Sequence, residues 1–559
     1  MSDTICWKVG AAFVTCVLSS IVALGQTFTT LADFGGWNGS LPAYEALIQG
    51  SDGNFYGTAQ QGGLNDYGVV FRTTPNGGLG AAYNFCTQSS CTDGAYPAAG
   101  VILASDGNAY GTTYDGGTYG YGTVFRLSPA RILTVLYSFN SSDGAYPQGG
   151  LRQGIDGNFY GTTNFGGTNG YGTVFKITLN GTLTTLHRFS GSDGSAPFRA
   201  LVQLADGNFY GVTEGGGSNK GGTVFKITPA GTLTTLYNFC TLANCADGAS
   251  PNELAQGSDG NLYGTTSDGG NSQCQFGCGT VFKITPAGVL MTLYSFCDQT
   301  NCADGEFPYA ALVQATDGRF YGTTYEGGAG PGTIFSITPD GQFAVLHNFC
   351  MVANCVDGSY PAAPLLQATD GKLYGSTYQG GTDPCSNGGG CGTIFSLDMG
   401  LGPFVAFVRN PTKAGQMFGI LGQGFTGTTN VSLNGTSISF TVKSDTLITA
   451  TIPAGGTTGP VTVTTPTGTL TSNVPFRVLP QLLSFTPTSG PVGTQVTITG
   501  VSLTQTTGVG FGDYTPAQFT VNSDTQVTAT VPTGAKTGPV GVQTQGGIAI
   551  STQTFTVTQ

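Results

Sequence analysis

The chain is poor in charge: Asp, Glu, Lys and Arg make up only 9 % of its 559 residues, and the formal net charge is -12. With no basic surface to follow phosphates, nucleic acid and anionic lipid are excluded as electrostatically held partners. There are two histidines, His187 and His347, and two tryptophans, Trp7 and Trp37. After residue 25 no apolar run is long enough to cross a bilayer, so no later membrane insertion is expected. There is no nucleophile elbow, no phosphate-binding loop and no HExxH helix, so no short motif names a reaction. Cysteine is missing from residue 392 onward. Scarce charge does not imply disorder here, because glycines punctuate a β-branched and aromatic pattern that is strongly periodic.

At the N-terminus, Lys8 precedes an apolar stretch at 9–24, and Ala23 and Gly25 stand just before Gln26. This is the pattern of a secretory signal peptide covering 1–25. Cysteine usage agrees with export. Apart from Cys6 and Cys16, all cysteines form close pairs: Cys86/Cys91, Cys240/Cys245, Cys274/Cys278, Cys297/Cys302, Cys350/Cys355 and Cys385/Cys391. Four pairs occupy one repeat position, and where the pair is missing, as in SFNSSDG at 138–144, the loop is shorter too. Insertion and pair come and go together, as disulfides clipping a loop neck predict. Zinc is the rival, but it needs four convergent ligands, and these pairs are expected to lie apart.

From about residue 28 to 400 one unit of roughly fifty residues recurs seven times, around DGN or its variants at Asp52, Asp106, Asp156, Asp206, Asp259, Asp317 and Asp370. Each unit reads as four strands. Strand A is short and apolar, strand B is the FYGTT run, strand C resembles GTVFKIT at 172–178, and strand D resembles LTTLYNF at 233–239. The chain opens on an orphan D-type strand, FTTLADF at 28–34, while the seventh unit stops after strand C at 392–398. The first strand is therefore expected to complete the last blade, which closes a seven-bladed β-propeller and removes its open edges. Variation in length is confined to the B-to-C and D-to-A connections, which share one face of such a ring. Loops on a rigid scaffold are where binding function gathers.

All five glutamates, Glu45, Glu214, Glu253, Glu306 and Glu326, fall in those connections, with Asp115 and Asp268 beside GG pairs. Two of them could serve a glycosidase or lyase as acid and base, or all could be solvated loop carboxylates. The loop residues Asn38, Asp93, Asp143, Asp193, Asp247, Asp304 and Asp357 could ligate calcium, although capping of Asx turns explains them more simply. Gln49, Gln153, Gln203, Gln256, Gln314 and Gln367 share one position of strand A, broken by Leu103. They suit a polar collar or hydrogen bonds to neighbouring blades. Tyr96, Tyr146, Phe307 and Tyr360 stand in the variable loops and would suit stacking on sugars, unless they pack beneath those loops.

The unit resembles the Gloeobacter/Verrucomicrobia-type tandem repeat of secreted bacterial proteins, on its DGNFYGTT…GG…GTVFKIT…LYNF succession. That resemblance implies an exported, surface-associated protein and brings no catalytic residues. Kelch repeats share the GG pair and the period but want a Trp in each blade. In the tail, SDTLITATIPAGGTTGPVTV at 444–463 recurs as SDTQVTATVPTGAKTGPVGV at 523–542, and FTPTSGPVGTQVTITG opens at Phe485. These stretches resemble IPT/TIG immunoglobulin-like domains, which implies spacer or adhesive modules.

The expected organisation is all-β: a signal peptide at 1–25, a propeller at 26–400, and IPT/TIG sandwiches at 401–479 and 480–559. The expected function is extracytoplasmic, non-catalytic binding or adhesion, secreted or at the cell surface, with a polysaccharide or surface protein as partner and no cofactor. Candidate ligand residues on the variable face are Glu214, Glu306, Glu326, Tyr96, Tyr146, Phe307 and Tyr360. The alternative is an extracellular polysaccharide hydrolase or lyase using paired carboxylates there.

Overall fold

The computed structural model describes residues 26–559 except 43, 45, 105, 384 and 386–388. The expected signal peptide, Cys6, Cys16 and Glu45 therefore lie outside the described residues. The chain is all-β with propeller-like repeats. In the third unit, strands Arg152–Gln153, Phe159–Thr163, Thr173–Ile177 and Leu183–Arg188 pair in that order, all antiparallel. Seven sheets follow this plan among the described residues. Two of them carry an additional short strand, Ser40–Pro42 or Ala249–Pro251, paired to strand B. The last sheet takes its fourth strand from the N-terminus: Thr27–Asp33 runs antiparallel to Thr393–Asp398, with Thr27 opposite Asp398. This is the pairing that the orphan strand predicts.

The recurring DGNxYG has a physical cause in every unit. In the second, Asp106 Oδ1 accepts the Asn108 N–H at 3.0 Å, closing the turn, while Oδ2 accepts the Tyr110 hydroxyl at 2.6 Å. The same Asp–Tyr bond recurs from Tyr56 to Asp52 through Tyr374 to Asp370. The glycine after the tyrosine is required by strand C. A Cβ on Gly161 would stand 2.6 Å from Phe175 Cζ, and one on Gly375 would stand 2.5 Å from Phe395 Cζ. The second Thr of strand B meets the Thr opening strand C, as in Thr163 Oγ1 to Thr173 Oγ1 at 2.9 Å.

Each tyrosine ring then packs on the residue opening strand B of the next unit. Tyr110 lies 4.3 Å from Phe159, Tyr160 3.9 Å from Phe209, and Tyr263 4.0 Å from Phe320, between ring centroids. Where that residue is Leu262 or Leu373, it joins Tyr210 or Tyr321 in one apolar cluster. Tyr374 of the last unit meets Phe55 of the first at 4.3 Å, within a cluster that also holds Phe71 and Ile394. The strand A glutamines span units as well: the Ile155, Ser258, Thr316 and Thr369 N–H groups donate to Gln203, Gln314, Gln367 and Gln49. These four glutamines thus bind neighbouring backbone, the second of the two readings.

Asp93, Asp143, Asp193, Asp247 and Asp304 in the D-to-A segments act as caps, while Asp357 lies 3.6 Å from His347. Asp247 Oδ2 accepts the Tyr237 hydroxyl, the Thr241 N–H and the Thr241 hydroxyl at 2.7–3.0 Å, and its Oδ1 accepts the Leu242 N–H. His187 takes the place of the tyrosine and lies 2.8 Å from Asp193. The sequence reading missed four short 3-10 turns: Ser89–Cys91, Ala243–Cys245, Thr300–Cys302 and Ala353–Cys355. Each ends on the second cysteine of its pair.

Beyond residue 400 five further sheets, one of them a two-stranded parallel pair of Thr412–Lys413 with Val478–Leu479, enclose two cores. The first holds Phe418, Ile420, Val431, Ile448, Val461 and Val463. The second holds Val496, Ile498, Phe511, Val527, Val540 and Val542. The duplicated Ser-Asp-Thr plays one role in both. Asp445 accepts the Gly424 and Thr426 N–H groups, and Asp524 accepts the Ser502 N–H and the Thr504 hydroxyl.

Two outcomes follow for the repeat. Gly161→Ala is expected to cost about 1–3 kcal/mol through its clash with Phe175. Tyr160→Phe, which leaves Asp156 bonded to Asn158, is expected to cost about 1 kcal/mol. Denaturant unfolding of the two variants measures the order. Tyr56 and Tyr110 are pushed up to about 12, first by burial and then by Asp52 and Asp106. A folded value above the unfolded 10.0 means that this stabilisation is complete below the unfolded value and is lost as pH climbs through about 12. Circular dichroism should therefore show unfolding accompanying tyrosinate absorbance across that window. Tyrosinate formation near the unfolded value with the fold intact would contradict the assignment.

Candidate functional site

Six of the seven units send side chains into one central cavity of about 370 Å³ at the end of the repeat sheets that carries the long connections. D-to-A segments supply Tyr44, Gln148, Phe198, Arg199, Asn252 and Tyr309, and B-to-C segments supply Glu214, Ser267 and Tyr325. The backbone dictates this convergence. The loop residue before each proline, such as Tyr146, donates its N–H to the preceding unit, here to Tyr121 O at 2.9 Å, so successive loops are stitched edge to edge.

Arg199 organises the cavity. Its side chain is buried, Nη2 donates to Asn252 Oδ1 and to Tyr309 O at 2.9 Å each, and its guanidinium stands 4.3 Å from the Phe198 ring centroid. Asn252 Nδ2 in turn donates to Pro308 O at 2.8 Å, which fixes the amide. Tyrosines frame the rest of the mouth. Tyr325 lies 5.2 Å from Tyr309 and 5.0 Å from Tyr360, while Tyr44 lies 5.9 Å from Tyr378. Burial, then proximity to Tyr378, pushes both Tyr44 and Tyr325 up to about 12, so these phenols stay protonated donors at neutral pH. Burial also holds Glu214, Glu253 and Asp268 above the usual carboxylate range. Arg199 counteracts this at Glu214 and, with Arg152, at Glu253. Glu214 and Asp268 come from neighbouring units.

Of the residues expected to contact a ligand, Glu214 lines the cavity and Tyr360 touches its edge through Tyr325. The others stand apart from it. Tyr146 stacks on Tyr114 at 4.8 Å and Tyr96 packs on Tyr67 at 5.3 Å. Phe307 anchors its loop through an N–H bond to Cys278 O. All four of these loop aromatics are half-buried, with φ of 54–56°. Glu306 and Glu326 face each other through paired backbone bonds of 2.9 and 3.2 Å. Burial, followed by repulsion from Glu326, raises the Glu306 carboxyl above its ordinary range.

Sequence reasoning missed Tyr44, Gln148, Phe198, Arg199, Asn252, Tyr309 and Tyr325. The signal was a break in the repeat. Two residues before the apolar residue that opens strand A, the second, third, sixth and seventh units carry Ala99, Gly149, Ala310 and Ala363, whereas the first, fourth and fifth carry the polar Glu45, Arg199 and Asn252.

All six cysteine pairs are disulfides: Cys86–Cys91, Cys240–Cys245, Cys274–Cys278, Cys297–Cys302, Cys350–Cys355 and Cys385–Cys391. The expectation that the pairs lie apart fails in the fifth unit. There the Cys274–Cys278 loop and the Cys297–Cys302 loop fold onto each other beside Glu306. Among the described residues no helix is long and apolar enough to cross a membrane.

The family described as Gloeobacter/Verrucomicrobia repeat matches residues 10–151, 44–274 and 241–439, and that described as IPT/TIG domain matches 480–558. No curated protein matches the sequence. Among solved structures, a fungal alcohol oxidase of the AA5 family in complex with copper is similar at 13 % identity and TM-score 0.46, covering 81 % of this chain and 98 % of that one. A surface glycan-binding protein from Prevotella bryantii is similar at 14 % identity and TM-score 0.21, covering 26 % and 38 %. A protein named SGBP-B, from a xyloglucan utilization locus in Bacteroides uniformis, is similar at 21 % identity and TM-score 0.14, covering 27 % and 48 %. At these TM-scores none of the three bears on what this chain does.

The raised carboxyl of Glu214 gives a checkable sign. A folded value above the unfolded one means that the ionised form costs stability, a cost absent in acid and complete once pH exceeds the folded value. Glu214→Gln is therefore expected to raise the thermal midpoint at about pH 7 and to leave it unchanged at about pH 3. Calorimetry at both values checks it. A lowered midpoint at neutral pH would instead show that attraction to Arg199 outweighs burial.

Proposed function

The chain belongs to the Gloeobacter/Verrucomicrobia repeat family and ends in an IPT/TIG domain, and from that premise we propose that it is an exported carbohydrate-binding protein working through the central mouth. In this reading 26–400 form a seven-bladed propeller closed by its first strand, and 401–479 and 480–559 form two immunoglobulin-like sandwiches that space it from its attachment. The family, the six disulfides and the IPT/TIG domain fit an extracellular protein.

The observation that carries the proposal is the composition of the mouth. Tyr44, Tyr309 and Tyr325 offer rings for stacking and phenols for hydrogen bonds, and Gln148, Asn252 and Ser267 offer neutral polar groups. Amphipathic aromatics beside amides and hydroxyls match the alternating apolar faces and hydroxyl edges of a sugar ring. A cavity of about 370 Å³ falls within the range of small-molecule sites, roughly 300–1,000 Å³. Arg199 serves here as a positioning residue, because its bonds fix Asn252 and the Tyr309 backbone. No cofactor is part of this reading.

Glu214 and Asp268, both held up by burial on neighbouring units, favour one second reading: a polysaccharide hydrolase or lyase at the same mouth. One experiment separates the two. The full mature chain is titrated against a panel of soluble polysaccharides, and the incubated glycans are then analysed for new ends. Binding without new ends, weakened about tenfold or more in Tyr309→Ala/Tyr325→Ala and retained in Tyr96→Ala, supports the binding role. New ends that vanish in Glu214→Gln would support the enzyme. Unchanged affinity in the double variant would remove the mouth from either reading.

A further inference from the structure

The fifth unit alone combines a cysteine pair in its B-to-C segment with another in the D-to-A segment that leaves it toward the sixth. Cys274 and Cys278 stand in its B-to-C segment, and Cys297 and Cys302 in the D-to-A segment that leaves it. The fold brings the two segments together. Cys274 Sγ lies 3.6 Å from Cys297 Sγ, and Glu306 Oε2 lies 2.9 Å from Cys274 Sγ. The four sulfurs and the Glu306 carboxylate oxygen all lie within 4.8 Å of one another. Asn271 fixes this approach by donating from Nδ2 to Cys297 O at 2.8 Å, and its own carbonyl oxygen accepts the Cys278 N–H at 3.2 Å. Among the described residues this is the one grouping of three or more candidate ligands of this kind.

We propose that, once reduced, these four cysteines form a tetrathiolate site for a soft divalent ion such as zinc. Two arguments carry this beyond the proximity of the sulfurs. The spacings C-x3-C and C-x4-C are those by which paired loops present thiolates to zinc, and the pairs come from two different connections, as in structural zinc sites. Sulfurs about 2.3 Å from a central tetrahedral ion are separated from one another by roughly 3.8 Å, close to the gap already present between Cys274 and Cys297. Little motion of the two loops is needed to reach that arrangement.

The chemistry balances as follows. Each disulfide takes two electrons and two protons from an external dithiol, which is oxidised to its own disulfide, so two equivalents of dithiol give four thiols. The ion then displaces the four thiol protons. Ion and disulfides compete for the same sulfurs, so in an oxidising compartment each connection is clipped by its own disulfide, and in a reducing one the metal ties the two connections to each other.

The test uses the full chain, reduced anaerobically with a phosphine, which does not itself compete for the metal as a thiol would. Cobalt(II) is titrated in as a spectroscopic probe. The expected result is one ion per reduced chain, with the intense visible bands of tetrahedral thiolate ligation, no such bands in the oxidised chain, and displacement of cobalt by zinc. Cys274→Ser/Cys297→Ser should abolish the bands, whereas Cys86→Ser/Cys91→Ser, on a different unit, should keep them. A second readout is thiol alkylation mapped by mass spectrometry: zinc should protect Cys274, Cys278, Cys297 and Cys302 and leave the other pairs reactive. Absence of tetrahedral thiolate bands in the reduced wild type, or their persistence in Cys274→Ser/Cys297→Ser, overturns the proposal.

Discussion

One carboxylate in each unit holds the repeat architecture together. The Asp that closes the A-to-B turn with one oxygen grips the strand B tyrosine with the other, and that grip fixes where the ring points. Because the ring lies on the residue opening strand B of the next unit, a local hydrogen bond sets the angle between neighbouring sheets. No unit buries its apolar face alone: each cluster takes residues from two consecutive units, and the cluster joining Tyr374 to Phe55 links the last to the first. The pairing of Thr27–Asp33 with the seventh unit adds a backbone ladder to the same junction. Side-chain contact and strand exchange thus act at one seam.

This division of labour leaves one end of the repeat sheets free to diversify. Strand B and its flanking turns are constrained in length by the Asp–Tyr bond, the Gly–Phe contact and the Thr–Thr contact. The long connections answer only to their stitching bonds and caps. Residues that face the centre from those connections touch neither the turn nor the inter-unit stack. The fourth, fifth and sixth units have used that freedom most, placing Arg199, Asn252, Tyr309, Glu214, Ser267 and Tyr325 around one cavity. Disulfides at the loop necks hold several of the long connections in shape without enlarging the core.

Much of the architecture was legible because the repeat exposes its own rules. Seven aligned copies separate fixed from variable positions, so the four strands, the completing first strand, the loop-neck disulfides and the capping aspartates could be read from spacing. Side-chain convergence could not be read in the same way. Tyr96, Tyr146 and Phe307 read either as aromatics for stacking on a ligand or as rings packed beneath the loops. Their left-handed backbone before a proline turns them into anchors against adjacent loops. Arg199 was overlooked because a lone cation in a loop reads as solvated, and only the fold shows it buried against Asn252 and the Tyr309 carbonyl of the next two units. The meeting of the two cysteine pairs in the fifth unit escaped for a related reason: strand pairing brings the two connections together across more than twenty residues of chain.

The central claim is that recognition belongs to the mouth and not to the outer rim or the tail. Hydroxyl-radical footprinting of the full chain, with and without a mixture of soluble polysaccharides, tests it most directly. The account predicts protection of Tyr44, Tyr309 and Tyr325 together, with the exposed Trp37, Tyr119 and Phe276 as reactive with glycan as without. Protection confined to those outer aromatics or to residues beyond 400, or no protection at all, would contradict it.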